Sequence, residues 1–419
     1  MNVLVIGSGG REYALCLKIA ESPLLKKLYC APGSDAIAEI AEVLPIKASA
    51  NQELCQAAKS LAIDLVVIGP DDALAAGLAD DFLETGIEVF GPSKEAAKLE
   101  WSKAFAKEFM SKLELPTAKW ASFDDYHQAL AYIEKEGFPI VIKASGLALG
   151  KGVIIAEDLE AAQEALKSML VEQTFGSAGA TVVIEEFLIG REFSLLAFSD
   201  GKNIRLMPPV EDHKQVFDHD QGPNTGGMGC ISPLNYVDDE MLLYLQEEVF
   251  TKTIEELDKS RTPFVGVLFI GFMLTLEGPK ILEFNARFGD PETQTLMMLL
   301  ESDLLETLSA CAQKHLDQVK ITWKNQHAAC LILTSGGYPG DYNKGYEISG
   351  LEDLPEDITV FHAGTAKKNS AYFTNGGRVL GLASSKKDLA SAVNYVYEQA
   401  RKVHFKDIHY RRDIGRRQM

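Results

Sequence analysis

The chain has 419 residues, of which 46% are hydrophobic and 24% charged, and its formal net charge is −19. That length exceeds one ordinary core and implies about two to four globular domains, while the composition excludes collagenous, disordered and low-complexity classes. The negative charge argues against nonspecific nucleic-acid binding, so any phosphorylated substrate must meet lysines and arginines concentrated locally.

Met1-Asn2-Val3-Leu4-Val5-Ile6 enters a strand pattern with no basic leader, so no secretory signal is expected. The strand Val3–Ile6 leads through Gly7 to Gly10 into a helix pattern from Arg11 to Glu21. Further strand patterns cover Lys27–Cys30, Asp64–Ile68 and Ile87–Phe90, the last two ending in Gly-Pro. Short apolar runs separated by helical patterns predict a doubly wound parallel sheet, with ligands outside the carboxyl ends of its strands. A helix pattern from Ser102 follows, then a hairpin of Pro139–Lys143 and Gly152–Ala156 around a glycine-rich tip. Next come a helix over Leu159–Leu170, a strand over Thr181–Glu185, and two strands within Val265–Leu282 broken at Gly278-Pro279. The most apolar stretch, between Pro263 and Leu276, is interrupted by Gly266 and Gly271 and falls short of the roughly 20 residues of a spanning helix. A β-rich block from Ala328, a helix over Asp388–Val403 and a basic tail complete the chain. Six scattered cysteines without a C-x-x-C pair suit a reducing cytoplasm better than a zinc site or a disulfide framework.

Three segments carry chemistry. Gly7-Ser8-Gly9-Gly10-Arg11-Glu12 turns from a strand into a helix, which makes Gly9, Gly10 and Arg11 candidates for holding an anion at the helix N-terminus. The second strand ends Cys30-Ala31-Pro32-Gly33 without an acid for a dinucleotide's ribose, which counts against a nicotinamide-dependent oxidoreductase. A purely structural glycine turn is the alternative. Lys143 to Val153, with Gly146, Gly150, Lys151 and Gly152, forms a cationic flap that could close over a triphosphate. It fits no Walker A frame, and its structural alternative is a solvated hairpin. Lys280 to Glu292 places Glu283 and Asn285 two apart on a strand, where both oxygens face one side and suit Mg²⁺ or Mn²⁺. Arg287 continues the alternation and could hold a carboxylate or a transferring phosphoryl group; a surface ion pair of Glu283 and Arg287 is the duller alternative.

These segments, with Phe90–Lys94, Ser102–Lys107, Glu185–Leu188, Asp212-His213-Lys214, Gly222–Gly229, Leu282–Gln294, Ser335–Gly340 and Tyr410–Gly415, give the chain a resemblance to the phosphoribosylamine–glycine ligases. These enzymes are also called glycinamide ribonucleotide synthetases, of the ATP-grasp superfamily. The resemblance implies an α/β and α+β multidomain fold. A sugar-phosphate-binding domain would cover 1–101, a two-lobed ATP-grasp domain 102–325 with a mobile lobe near 120–188, and a small β-rich C-terminal domain 326–419. It implies ligation of glycine to 5-phosphoribosylamine with ATP as co-substrate, in purine synthesis, by a cytoplasmic monomer or weak dimer without nucleic-acid or membrane partners. Lys103 and Lys143 would contact ATP phosphates, Glu185, Phe187 and Leu188 the adenine, and Glu192 the ribose. Glu283 and Asn285 would bind the metal. Asp212 would pair with glycine's ammonium group, Arg287 and Lys143 would serve the reaction, and Lys214 and Asn224 would contact substrates. The basic tail from Arg411 to Arg417 could help hold the sugar phosphate, with a solvated tail as the duller alternative. His213 is open between a structural residue and a proton carrier. Tyr13, Ser34-Asp35 and Ser145 depart from the usual histidine, Asn-Ala and aspartate, and Asp35 would repel a phosphate that faced it. The nearest rival is another ATP-grasp carboxylate–amine ligase of purine synthesis; a silent nucleotide-binding protein is a third reading.

Overall fold

The computed structural model describes residues 1–148 and 152–419. They divide into two compact units, one of Met1–Lys94, Ser194–Phe269 and Arg287–Met419, the other of Glu95–Phe193 and Ile270–Ala286.

The first unit begins with a parallel sheet of β1 (Asn2–Gly7), β2 (Lys27–Pro32), β3 (Glu42–Val43), β4 (Leu65–Ile68) and β5 (Glu88–Phe90), in the order β3-β2-β1-β4-β5. The central β1 explains the uninterrupted apolar run, since Val3, Leu4, Val5 and Ile6 are all completely buried and both faces of the sheet are covered. α1 (Gly10–Ala20) follows β1, with Gly9 at its N-cap and Glu12 reaching back to the cap backbone. The two-residue strand β3 was missed because Glu42-Val43 carries no periodic signal. A second sheet is antiparallel and joins Glu211–Asp212, Gly229–Ser232, His327–Thr334, Arg378–Lys386 and Thr359–His362 in that order. Two strands from the middle of the sequence thus complete the C-terminal sheet. The helix Leu389–Ala400 covers it, started by the Asp388 side chain accepting from the Ser391 N–H.

The second unit holds an antiparallel sheet of β6 (Trp120–Phe123), β7 (Ile140–Ala144), β8 (Val153–Ala156) and β9 (Val182–Glu186), ordered β6-β9-β7-β8. β7 and β8 form the expected hairpin, Lys143 opposite Val153. Ile140, Ile142 and Ile184 on one face pack with Ala129 and Ile133 of the helix Tyr126–Glu136 and Ala162 and Leu166 of the helix Leu159–Leu166. The helix Lys103–Lys112 starts at Ser102, whose hydroxyl accepts from the Phe105 N–H. The strands of the apolar stretch are Val265–Thr275 and Gly278–Asn285. The break falls at Leu276-Glu277, and Gly278-Pro279 opens the second strand, because Gly278 takes φ +111° in the turn itself. Among the described residues no helix is long and apolar enough to cross a membrane, and all six cysteines are free.

Candidate functional site

In the second unit, three side chains converge at the root of the flap. Lys143 from β7 and Lys107 from the helix Lys103–Lys112 lie 2.8 and 2.9 Å from opposite oxygens of Glu185 on β9. All three are nearly inaccessible, so the pairing is what makes their burial tolerable. Lys143 Nζ also donates to the Leu282 carbonyl at 3.1 Å, and Lys107 Nζ donates to Thr117 Oγ1 at 2.7 Å. Burial pushes the Lys107 ammonium down to about 8 against the pull of Glu185. Burial likewise lowers Lys103, while Glu283 works the other way, which places that carboxylate within electrostatic reach of Lys103.

Glu185 is expected for its backbone beside adenine, and its side chain fixes two lysines. Lys107 was missed, although it lies one helical turn after Lys103 and so on the same face. Phe187 is 38% exposed, Leu188 is buried, and Glu192 is exposed on the strand Arg191–Asp200. Ser145 replaces the family's aspartate with a hydroxyl that accepts from the Ala104 N–H at 3.1 Å, while its carbonyl accepts from Lys103 N–H at 2.8 Å. Gly146 and Gly152 have steric reasons of their own: a Cβ would lie 2.6 Å from Ala178 Cα and 2.5 Å from Ala148 Cβ, respectively. Gly150 and Lys151 lie outside the described residues.

Glu283 and Asn285 occupy same-side positions of the strand Gly278–Asn285, with Phe284 between them turned against Phe109. A carboxylate and a carboxamide oxygen form a hard donor set, which fits a divalent ion that keeps water and phosphate oxygens as its other ligands. Among the described residues no group of three or more His, Cys, Asp or Glu side chains could by itself hold a metal ion.

In the first unit, the glycine turn meets carboxylates of the chain itself. The Gly9 N–H donates to Glu12 Oε2 at 2.7 Å, and Asp290 accepts from the Arg11 N–H. Burial disfavours the Asp290 charge, but the Arg378 and Arg11 guanidiniums outweigh it and hold the carboxyl below its usual range. Asp290 also accepts from Gln294 Nε2 at 2.8 Å. The glycines make room for these groups: a Cβ on Gly10 would lie 2.7 Å from Gln294 Nε2, and one on Gly69 2.0 Å from Glu12 Oε1. Arg11, the third residue expected at the phosphate, makes contacts within the protein. Its Nε pairs with Glu12 Oε1 at 2.6 Å and its Nη1 donates to the Phe288 carbonyl at 2.9 Å.

Beside this turn lies a cavity of about 500 Å³ whose wall includes Ser8, Gly9, Gly10, Asp35, Tyr338, Asn375 and Arg378. Arg378 is held in place by Asp290, its Nη2 lying 3.3 Å from Oδ2, and its Nη1 donates to the Gly226 and Asp290 carbonyls, both at 2.6 Å. Nothing in the local sequence around Arg378 announces it, because its partners come from segments 88 and 152 residues away. Tyr13, the first departure, packs its ring 5.4 Å from His362, which on its other side lies 4.3 Å from Tyr372.

His362 supplies a pH-dependent prediction. Burial pushes it down to about 4, with Glu39 opposing and Lys367 assisting. Between its ordinary value of 6.5 and about 4, the unfolded chain binds a proton that the folded chain does not. Stability should therefore fall as pH drops through that window, and a His362→Gln variant should show a shallower fall in urea midpoint.

Asp212 lies in the same unit, with Lys214 Nζ 3.4 Å from its Oδ2. The Asn224–Gly229 turn brings these residues close. Thr225 N–H donates to the Lys214 carbonyl at 2.8 Å, and Gly227 has no room for a Cβ, which would lie 2.7 Å from Asp212 Oδ1. Asn224 is exposed on the strand Gln221–Asn224. Glu292, which the sequence reading left without a role, is buried, and burial and the Asp212 carboxylate raise it to about 7. Arg287 belongs to this unit and donates from Nη1 to the Phe288 carbonyl at 3.2 Å.

His213 is buried and meets partners at both ring nitrogens. Its Nδ1 faces the Gly229 carbonyl at 3.1 Å, its Nε2 accepts from the Gly415 N–H at 3.2 Å, and burial lowers its pKa. Arg411 is fully buried and bound to Asp413 and Asp220, 2.7 and 2.9 Å away, so it does not line the cavity. Its charge secures the C-terminal segment.

The three domain models of phosphoribosylglycinamide synthetase match in order: the N domain over residues 1–100, the ATP-grasp (A) domain over 101–293 and the C domain over 328–417. The chain belongs to the phosphoribosylglycinamide synthetase family. A phosphoribosylamine–glycine ligase of Caldanaerobacter subterraneus is 44% identical over 415 residues, covering 99% of both chains. The trifunctional purine biosynthetic protein adenosine-3 of Gallus gallus is 46% identical, and this chain spans 42% of its length. The crystal structure of a phosphoribosylamine–glycine ligase from Thermotoga maritima superposes with a TM-score of 0.87 at 33% identity, over 99% of this chain and 100% of that one. A biotin carboxylase from Campylobacter jejuni, at 17% identity and a TM-score of 0.76 over 97% of this chain and 92% of its own, shares the fold. The phosphoribosylglycinamide synthetase architecture thus comprises an N-terminal parallel sheet, an ATP-grasp domain and a C-terminal domain of antiparallel strands. An ATP-grasp family uses ATP with a divalent metal ion.

Proposed function

We propose that the chain ligates glycine to 5-phosphoribosylamine through glycyl phosphate, releasing ADP and phosphate. The observation that carries the nucleotide half is the pair of buried lysines fixed on Glu185 beside the strand of Glu283 and Asn285. Full-length relatives named for this ligation supply the acid and the amine.

A carboxylate resists an amine because it would have to expel oxide. Phosphorylation removes that obstacle: a glycine oxygen bonds to the γ-phosphorus, and the bond from phosphorus to ADP breaks. The amine nitrogen then bonds to the glycyl carbon, the carbon–oxygen bond to phosphate breaks, and the phosphate takes the proton lost from nitrogen. Lys103 and Lys143 hold the nucleotide's phosphates, and Arg287 neutralises the transferring group, so catalysis is mainly positioning and charge compensation. Glu283 and Asn285 would hold the divalent ion, Mg²⁺ in this reading, which screens charge on the phosphates. Asp212 receives glycine's ammonium group. Arg378, with the backbone of Gly10, receives the sugar phosphate in the cavity of the first unit.

The test is ADP release with each of glycine, amine and metal omitted in turn. Release should need all three, and hydroxylamine should trap glycyl hydroxamate when ATP and glycine are present. ADP release that ignores glycine would refute the assignment.

A further inference from the structure

The cavity beside the glycine turn is lined by three charged groups, and one of them, Asp290, is paired with Arg378, Oδ2 to Nη2 at 3.3 Å. Arg378 is the cation of the lining, and Asp35, two residues beyond Gly33 where β2 has ended, is an exposed carboxylate that also lines the cavity. Asp35 is fixed, because its Oδ2 accepts from the Lys367 N–H at 2.7 Å. The loop that bears it is tied down on both sides: the Gly33 N–H donates to the Gly7 carbonyl at 3.1 Å, and the Tyr372 hydroxyl donates to Glu39 at 2.8 Å. Lys367 Nζ closes the tie by pairing with the same Glu39. A carboxylate is an acceptor only, so in a cavity of this size it recognises hydroxyl or ammonium hydrogens and repels phosphate. The acid missing from the end of the second strand is therefore present a short turn later, near the position from which such sheets hold ribose hydroxyls.

We propose that Asp35 accepts hydrogen bonds from the vicinal hydroxyls of the pentose, with the phosphate at the Arg378 end, so that the chain selects ribose over 2-deoxyribose. This rests on the reading that the cavity takes 5-phosphoribosylamine. It also turns a departure from the family's usual alanine into a determinant of sugar specificity in this chain. Losing a hydroxyl to a charged acceptor weakens recognition by roughly 10- to 100-fold.

The experiment compares ribose 5-phosphate amine with its 2-deoxy analogue, each formed in place from the sugar phosphate and ammonia. Wild type, Asp35→Asn and Asp35→Ala are assayed with the full chain, together with thermal midpoints. Wild type should prefer the ribose substrate at least about tenfold in kcat/KM. In Asp35→Ala that preference should collapse through a raised KM for the ribose compound alone, with the KM values for ATP and glycine unchanged, and Asp35→Asn should keep part of it. An unchanged sugar preference in Asp35→Ala, or an equal loss for both sugars, would overturn the proposal. Absence of any ligation of glycine to the ribose amine by wild type would instead strike the proposed function.

Discussion

Replacing Lys143 with methionine should lower kcat/KM for ATP by about 10²- to 10³-fold, the cost of removing one fixed donor from a developing anionic charge. The variant should still fold, and the reason lies in the geometry around Glu185. That carboxylate keeps Lys107 at 2.9 Å when Lys143 is gone, so no buried anion is left alone. Methionine also fills the space of the lysine stem. Circular dichroism and a urea midpoint near that of wild type, together with a slow single turnover, would establish the result. Wild-type turnover would remove Lys143 from the phosphate-binding set.

Glu185→Gln reverses the balance. Two ammonium groups would remain beside a neutral amide in a site where Lys107 and Glu185 are only 2% and 3% exposed. Breaking a buried pair by removing one partner costs about 3–5 kcal/mol, a large share of a domain's stability. The loss should depend on pH with a defined sign. Lys107 already titrates near 8, and without Glu185 it falls further below the 10.5 of an unfolded lysine. Over that interval the unfolded chain binds more protons, so the variant should recover stability as pH rises from 7 to 9. Adding Lys107→Met should restore most of the loss at pH 7, because it removes the uncompensated charge. Urea midpoints of the three proteins at both pH values provide the check.

The parallel sheet was legible because its inner strands are buried on both faces and read as unbroken apolar runs, as Val3–Ile6 does. The flap hairpin was legible because glycines and lysines interrupt two short β patterns, and Lys143 opposite Val153 matches that reading. What escaped was the product of long-range contact. Glu211–Asp212 and Gly229–Ser232 join strands about a hundred residues later in the sheet. Arg378 meets Asp290 in that way, and its own neighbours give no hint of it. The glycine turn reads as an anion site on electrostatics alone, and the sequence does not show that its Gly9 and Arg11 N–H groups donate to Glu12 and Asp290. Local sequence shows that donors exist; only the fold shows who accepts from them. Arg411 illustrates the same limit, since a basic tail looks solvated until Asp220 and Asp413 are found around it.

The fit of Asp290 and Gln294 over Gly9, Gly10 and Arg11 has a bearing on recombination between relatives. These two segments are about 280 positions apart in the sequence, yet they behave as tongue and groove: a methyl on one side collides with an amide on the other. A chimera that imports a foreign N-terminal sheet with a bulkier turn should lose stability unless residues 289–294 travel with it. Breeding or shuffling experiments should accordingly inherit the two stretches together, as one heritable part split across the reading frame.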